Sequence, residues 1–426
     1  MSFLKTCCAA LALLSGAASV AFGQSPAQVG NHLPSQQSLR PFGLTRAWWG
    51  QAVMNSHRDK LLHITTDERE LYTQSTNGVL TAFDSETGKR LWSTQVGSSD
   101  RAMYPVTSND DMLFVVSGMS LYGISKLDGQ IQWDLRMPGQ PATSPIADNR
   151  EMYLGFMDGS MYAFDLKRVG ELYAKSMLPR WSHLTVLWRY KTSQTISVPA
   201  VPGARLVAFA SRNGSLYSVT KEDRTLKFQF QTNTTLSAPF VRWKNNLLLA
   251  SEDFNVYSLD MANGRYNWQF SSGMMIRKTP VVIGDELYLT PERGGMFKIS
   301  PETGKQIWWR PGIEEFISAS PTRVYASDRM GNVAVLSRQD GGLIAVMPAE
   351  RFTRHVVNDR SDRLFLATET GLIVELHELG RDAPLYHVHP DWLPLMPEFA
   401  PEMPNEVEGG AAPPAAEQPE AAARDE

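Results

Sequence analysis

Few side chains in this sequence are spaced for chemistry. His387 and His389, one residue apart, would share a face of an extended strand, a spacing that can hold a metal ion. Only Asp391 follows them at ligand spacing, so the simpler reading is a pair of residues leading into the C-terminal segment. The two cysteines, Cys7 and Cys8, both lie near the N-terminus. No nucleophile elbow, phosphate-binding glycine loop or zinc-protease motif occurs. The expectation is therefore no catalytic residue, no metal ligand and no resident cofactor. Two other sets of residues are suited to binding. Arg101, Arg277, Lys278, Arg354 and His355 recur at similar places in a repeat, and could hold an anion or an acidic segment of a partner. Around Val169, Leu172, Tyr173 and Met177 the apolar spacing is helical; Pro179 then ends the helix, and Arg180 and Trp181 follow.

The elements that must position these residues come from internal repetition. Val79-Leu-Thr-Ala-Phe-Asp84 has counterparts beginning at Ser120, Ser160, Ser215, Asn255, Gly295, Asn332 and Leu372, mostly about 40 residues apart. Each alternates as a strand with two unlike faces does. A shorter apolar strand precedes each copy, across tight turns such as Asn77-Gly78, Asp158-Gly159 and Asn213-Gly214, where positive φ is needed. A second turn and an aromatic strand follow: Gly88 leads to Trp92, Gly129 to Trp133, Gly264 to Trp268 and Gly304 to Trp308, always four residues on. Trp188 and Phe228 take that place in the third and fourth repeats; Ala345 stands there in the seventh, and Tyr386 is a loose match in the eighth. A fourth strand opens at Pro105, Pro145, Pro199, Pro239, Pro280 and Pro321, because proline suits the start of a strand. Four short antiparallel strands repeated eight times predict an all-β fold, an eight-bladed β-propeller over residues 45–390. Trp48-Trp49 resembles the aromatic strand out of turn, and would close the ring by pairing with the last blade.

In such a ring the links between blades share a face with the turns between second and third strands. The five basic residues lie on that face with Arg212, Arg293 and Arg329, interspersed with Glu252, Asp253, Glu292, Glu314, Glu315 and Glu369. Mixed, solvated charge is the competing reading there. Trp133 and Trp188 are separated by more than the usual 40 residues, which places the predicted helix in an insertion on the opposite face. Its apolar stripe could seat a partner or fold down on its own blade.

Residues 1–23 read as a secretory signal: Lys5, the apolar run Cys7–Leu14, and a small-residue stretch ending at Gly23. Residues 24–44 form an extension before the first blade. Residues 391–426 read as a disordered acidic tail; from residue 397 onward, prolines, alanines and eight acidic residues face one basic residue, Arg424. Formal charge is −4 overall; without leader and tail the body is near neutral, which gives no argument for nucleic-acid binding. No segment reaches the roughly 20 apolar residues of a membrane span, and the cysteines lack the context of a lipid-anchor site. The expectation is an exported monomer, in the periplasm or outside the cell, with a protein partner.

The motifs DSETGKRLW (Asp84–Trp92) and PETGKQIWW (Pro301–Trp309) resemble the pyrroloquinoline-quinone-type (PQQ-type) propeller repeat. The resemblance covers about residues 45–390 and implies that Trp92, Trp133, Trp188, Trp268 and Trp308 dock structurally against neighbouring blades. It is similar both to PQQ-dependent dehydrogenases and to a non-enzymatic branch that includes the propeller subunit of the outer-membrane β-barrel assembly machinery. The dehydrogenases imply PQQ with calcium, the quinone sandwiched between a tryptophan and a disulfide of adjacent cysteines. With Cys7 and Cys8 inside the leader, that sandwich has no second side here. The resemblance therefore implies a scaffold that binds a partner through loops, with a PQQ-dependent or other channel-mouth enzyme as the alternative.

Overall fold

The computed structural model describes residues 33–98 and 101–392. They form eight four-stranded antiparallel sheets. Seven are built from consecutive strands. The eighth takes its three inner strands from Arg354–His355, Leu364–Ala367 and Leu372–Glu378, and its outer strand from Leu44–Gln51 near the chain start. The expected closure through Trp48-Trp49 is thus observed. Trp48 pairs with Glu375, the place that Trp92 takes opposite Ala82. The true eighth aromatic is therefore Trp48 and not Tyr386, which forms an isolated bridge to Ser361 beyond the blade's inner strands.

Eight buried apolar clusters fill the eight junctions between blades; one joins Tyr72, Ala82 and Trp92 of blade 1 to Val106, Leu113 and Ile124 of blade 2. The repeated Gly-to-Trp spacing has its cause here. Each glycine adopts positive φ in the turn after the third strand, and an aromatic ring of the preceding blade lies against it: Trp48 on Gly88, Trp92 on Gly129, Phe228 on Gly264 and Trp268 on Gly304. A Cβ at Gly304 would fall 2.6 Å from Trp268, and one at Gly341 2.7 Å from Trp308. Only a residue without Cβ allows that approach. The indole N–H then donates to a backbone carbonyl of the facing turn: Trp92 to Lys126 (2.7 Å), Trp268 to Pro301 (2.9 Å), Trp308 to Arg338 (3.1 Å) and Trp48 to Ser85 (2.9 Å), and likewise Trp188 to Lys221 (2.7 Å), where Arg224 holds the positive φ in place of glycine. All five indoles are buried, so each polar tip is satisfied where burial would otherwise penalise it.

Two departures from the repeat follow from the same packing. After Trp133 no glycine turn arrives; the helix Leu166–Ala174 takes its place, and Leu166 and Val169 join the cluster containing Trp133. The seventh blade needs no tryptophan at Ala345, because the short helical turns Gln36–Leu39 and Arg40–Phe42 bring Leu39 and Phe42 into that cluster instead. Pro321 is a correction to the strand-start rule: blade 7 has a longer inner strand, Ile313–Ala319, and Pro321 follows it in the turn before Arg323.

Candidate functional site: two faces of the ring

The face carrying the turns between first and second strands, and between third and fourth, is held by ion pairs. Lys126 of blade 2 reaches back to Asp67 of blade 1 (2.7 Å), Lys221 of blade 4 to Asp148 of blade 3 (2.8 Å), and Arg338 of blade 7 to Glu286 of blade 6 (2.7 Å). In each case the cation follows the third strand, so one position serves three junctions. Glu286 also accepts from Lys298 (2.6 Å) and from the Tyr288 hydroxyl (2.6 Å). Burial raises the pKa of Asp67 and of Glu286, but Lys126 on one, and Lys298, Tyr288 and Arg338 on the other, outweigh it and leave both below the usual carboxylate range. The closing junction uses Arg363. Fully buried, it donates to Glu86 of blade 1 (3.0 Å) and to the Arg381 and Asp382 carbonyls, with Glu375 at 3.6 Å. A cleft of about 1050 Å³ opens on this face beside Asp67, Asp148, Lys126 and Trp392, but both of those acids are already paired. Trp392 lies under the Arg69 guanidinium and stacks on His389, so the segment His389–Trp392 packs on blade 1.

The opposite face, which we call the loop face, carries the inter-blade links and the turns between second and third strands. Of the five predicted basic residues, three are engaged by carboxylates there. Arg277 bridges Glu252 (3.0 Å) and Glu292 (3.1 Å), Lys278 lies 3.7 Å from Glu315, and His355 meets Glu315 at 2.8 Å. Burial raises the Glu315 pKa, but His355 and Lys278 outweigh it. Arg354 is exposed on the innermost strand of blade 8, and the Arg101 side chain packs over Gly118 in blade 2. The five therefore do not converge on one open anion pocket.

What this face exposes instead is apolar. Met119, Met157 and Met330 occupy turns of blades 2, 3 and 7, while Met274 and Met275 lie in the link from blade 5 to blade 6; Met330 is 79% exposed. Phe254 stands where other blades have the turn glycine, and it holds φ +73°. Such a conformation costs a non-glycine residue on the order of 1–3 kcal/mol. Its side chain is 41% exposed. Ser272 donates from its backbone N–H to the Phe254 carbonyl (2.8 Å) and from Oγ to the Met274 carbonyl (2.8 Å), and the Glu292 N–H donates to Met275 (2.9 Å). Phe254, Met274 and Met275 thus form one patch, rimmed by the Arg277 ion pairs. Arg329 ties the Met330 turn to its neighbour through the Arg293 carbonyl (2.8 Å). Sequence reasoning missed this patch; Asp253-Phe254, standing where Asn-Gly or Asp-Gly is the rule, was the available signal.

The insertion residues divide. Leu172 is buried with Leu166 and Val169, which corrects its assignment to a partner surface: the stripe is needed beside Trp133. Met177 is half-buried, whereas Tyr173, Arg180 and Trp181 remain exposed, with the Arg180 guanidinium over the Trp181 ring. His387 and His389 do not act as a pair: His389 stacks on Trp392, while His387 lies in a cleft lined by Arg338, Glu286 and Lys298. Among the described residues no three His, Cys, Asp or Glu side chains group as metal ligands. No described helix is long and apolar enough to cross a membrane.

Blades closed by an outer strand from the chain start, and stacked through a tryptophan-on-glycine repeat, define a quinoprotein-type eight-bladed propeller. Within that class the chain belongs to the family described as outer membrane protein assembly factor BamB, whose model matches residues 45–174 and 185–346. The gap between the matched segments falls on the insertion that carries Arg180 and Trp181. Solved structures share the fold: BamB from Moraxella catarrhalis at 14% identity, covering 78% of this chain and 97% of that one with a TM-score of 0.61; the computationally designed Ika8 protein at 12%, covering 77% and 100% (0.61); and the C-terminal WD40 domain of Sif2 at 12%, covering 78% and 98% (0.60). No curated protein matches the sequence.

Proposed function

We propose that this chain is an exported, non-enzymatic scaffold of the BamB family that binds a protein partner through its loop face, in the service of outer-membrane protein assembly. The observation that carries the reading is the Phe254–Met274–Met275 patch with Met330 beyond it. Apolar side chains from separate turns, one of them on a strained backbone, leave a large part of their surface to solvent. Methionine side chains adapt to irregular partner surfaces, and an apolar centre with a charged rim is how protein interfaces are built. Export is supported by residues 1–23, and scaffold function by the family. Two experiments test the proposal. Titration of the purified protein with PQQ and calcium is expected to give no binding heat and no dye reduction with alcohols or sugars; turnover would replace the scaffold by an enzyme. Affinity capture from envelope extract should lose a saturable partner on Met274→Glu/Met275→Glu/Met330→Glu and keep it on Leu127→Glu, an exposed position of the turn face. Equal capture by both variants would remove the loop face from the account.

A further inference from the structure

Among the described residues seven large apolar side chains are exposed on the loop face, and five of them are methionines: Met119, Met157, Met274, Met275 and Met330, beside Phe254 and Val53. On the turn face, the outer strands and the insertion the exposed large apolar side chains are leucine, isoleucine, valine or aromatic, as at Leu127, Ile131, Ile307 and Leu379. The other described methionines are buried or half-buried, Met152, Met161 and Met296 completely. Exposed methionine is thus confined to one face. Apolar area alone does not account for this, because leucine supplies as much and stands at the exposed positions of the other surfaces. What methionine adds is a thioether that peroxides oxidise. Past Cys8 the chain has no thiol to compete for such an oxidant. The turns that carry these thioethers are also well tied. The Met157 N–H donates to the Gln140 carbonyl (3.0 Å), that of Met274 to Ser272 Oγ (3.3 Å) and that of Met330 to the Asp328 carboxylate (2.8 Å).

We infer that the five loop-face methionines form a reversible oxidation switch, in which their sulfoxides release the partner that the thioethers bind. The inference rests on the loop-face reading and adds its regulation. In the forward step a sulfur lone pair attacks one oxygen of a peroxide. The S–O bond forms as the O–O bond breaks, water leaves, and sulfur is oxidised by two electrons as the peroxide is reduced. In the reverse step a dithiol, acting through a methionine sulfoxide reductase, supplies two electrons and two protons; it becomes a disulfide, and the oxygen leaves as water. Each sulfoxide puts a polar S–O group where the patch was apolar, and burying that group against an apolar partner is penalised. The fold is spared, because the modified sulfurs lie on exposed side chains while the backbone bonds of their turns stay intact. Sulfoxide at Met152 or Met296 would instead disrupt the packing between blades, and burial keeps the oxidant from both.

The test treats the purified protein with hydrogen peroxide, destroys the excess with catalase, and then measures three things. Peptide mass spectrometry should find sulfoxide at the five loop-face positions at least about tenfold faster than at Met152, Met161 and Met296. The thermal midpoint should be unchanged. Capture of the saturable partner from envelope extract should weaken at least about tenfold, and return after methionine sulfoxide reductase with dithiothreitol. A variant with leucine at all five positions should capture the partner equally before and after peroxide. Oxidation that ignores exposure would overturn the inference, as would a leucine variant that peroxide still inactivates. Capture abolished by Met274→Glu/Met275→Glu/Met330→Glu but indifferent to the five sulfoxides would overturn this inference alone. Capture indifferent to the glutamates as well, or absent from the unaltered protein, would overturn the loop-face reading together with it.

Discussion

The two faces of this ring are made from the same kind of turn yet put to different uses. On the turn face, Lys126, Lys221, Arg338 and Arg363 each cross a junction to a carboxylate, and five indoles donate to the carbonyls beside them. On the loop face Arg277 crosses between turns as well, but Phe254, Met274, Met275 and Met330 face solvent. In a repeat protein each blade contacts only its neighbours, so every junction needs the same fastening. Once one face supplies it, the turns of the other are released from that constraint. Side chains there can be chosen for a partner even at some expense to the fold, as the strained backbone of Phe254 shows.

The sharpest way to break this comparison is to unfasten the turn face. Arg363→Met would leave Glu375 buried beside an apolar side chain, and should destabilise the protein by about 3–5 kcal/mol in chemical denaturation, as expected when one partner of a buried pair is removed. Trp268→Ala should cost a similar ~3–5 kcal/mol through the cavity left against Gly304. A loss below about 1 kcal/mol in either would mean that the junctions are held by something else.

A smaller effect is expected from pH. His387 has its pKa pushed down to about 4, first by burial and then by the Arg338 charge. The unfolded chain takes up this proton near 6.5 and the folded one only near 4, so stability is full above 6.5 and falls as pH drops towards 4. Between pH 7 and pH 5 the contribution is about 1–2 kcal/mol, and it should vanish from the denaturation profile of His387→Gln. An unchanged profile would show that His387 does not titrate as a buried group. The smallest effect belongs to the loop face: Met330→Glu and Met274→Glu should shift stability by no more than about 0.5 kcal/mol. Destabilisation by several times that amount would mean that these side chains serve the fold.

Much of this was legible in the sequence because packing repeats. The four-residue step from Gly88 to Trp92 recurs since most of the turns that receive an indole need a residue without Cβ, and Trp48 betrayed the ring closure by carrying the same signature out of turn. Tyr386 misled because the eighth aromatic strand lies more than 300 positions away from the rest of its blade. Leu172 was placed on a partner surface because helical spacing tells that a stripe is apolar without telling what it covers, here the place beside Trp133. The pairing of Arg277 with Glu252 and Glu292 was hidden for a similar reason: the partners lie in turns 25 and 15 residues away. Phe254 was readable only as a departure, an aromatic at a glycine position, and it took the exposed methionines around it to give that departure a use.

The central claim is that partners meet the loop face, and site-specific photo-crosslinking tests it most directly. A photoreactive residue at position 330, on the loop face, is to be compared in cells with one at position 127, which is as exposed on the turn face. The account predicts a discrete protein adduct from position 330, lost when Met274 and Met275 are both replaced by glutamate, and none from position 127. An adduct from position 127 alone would contradict it and move the binding surface to the face that holds the blades together.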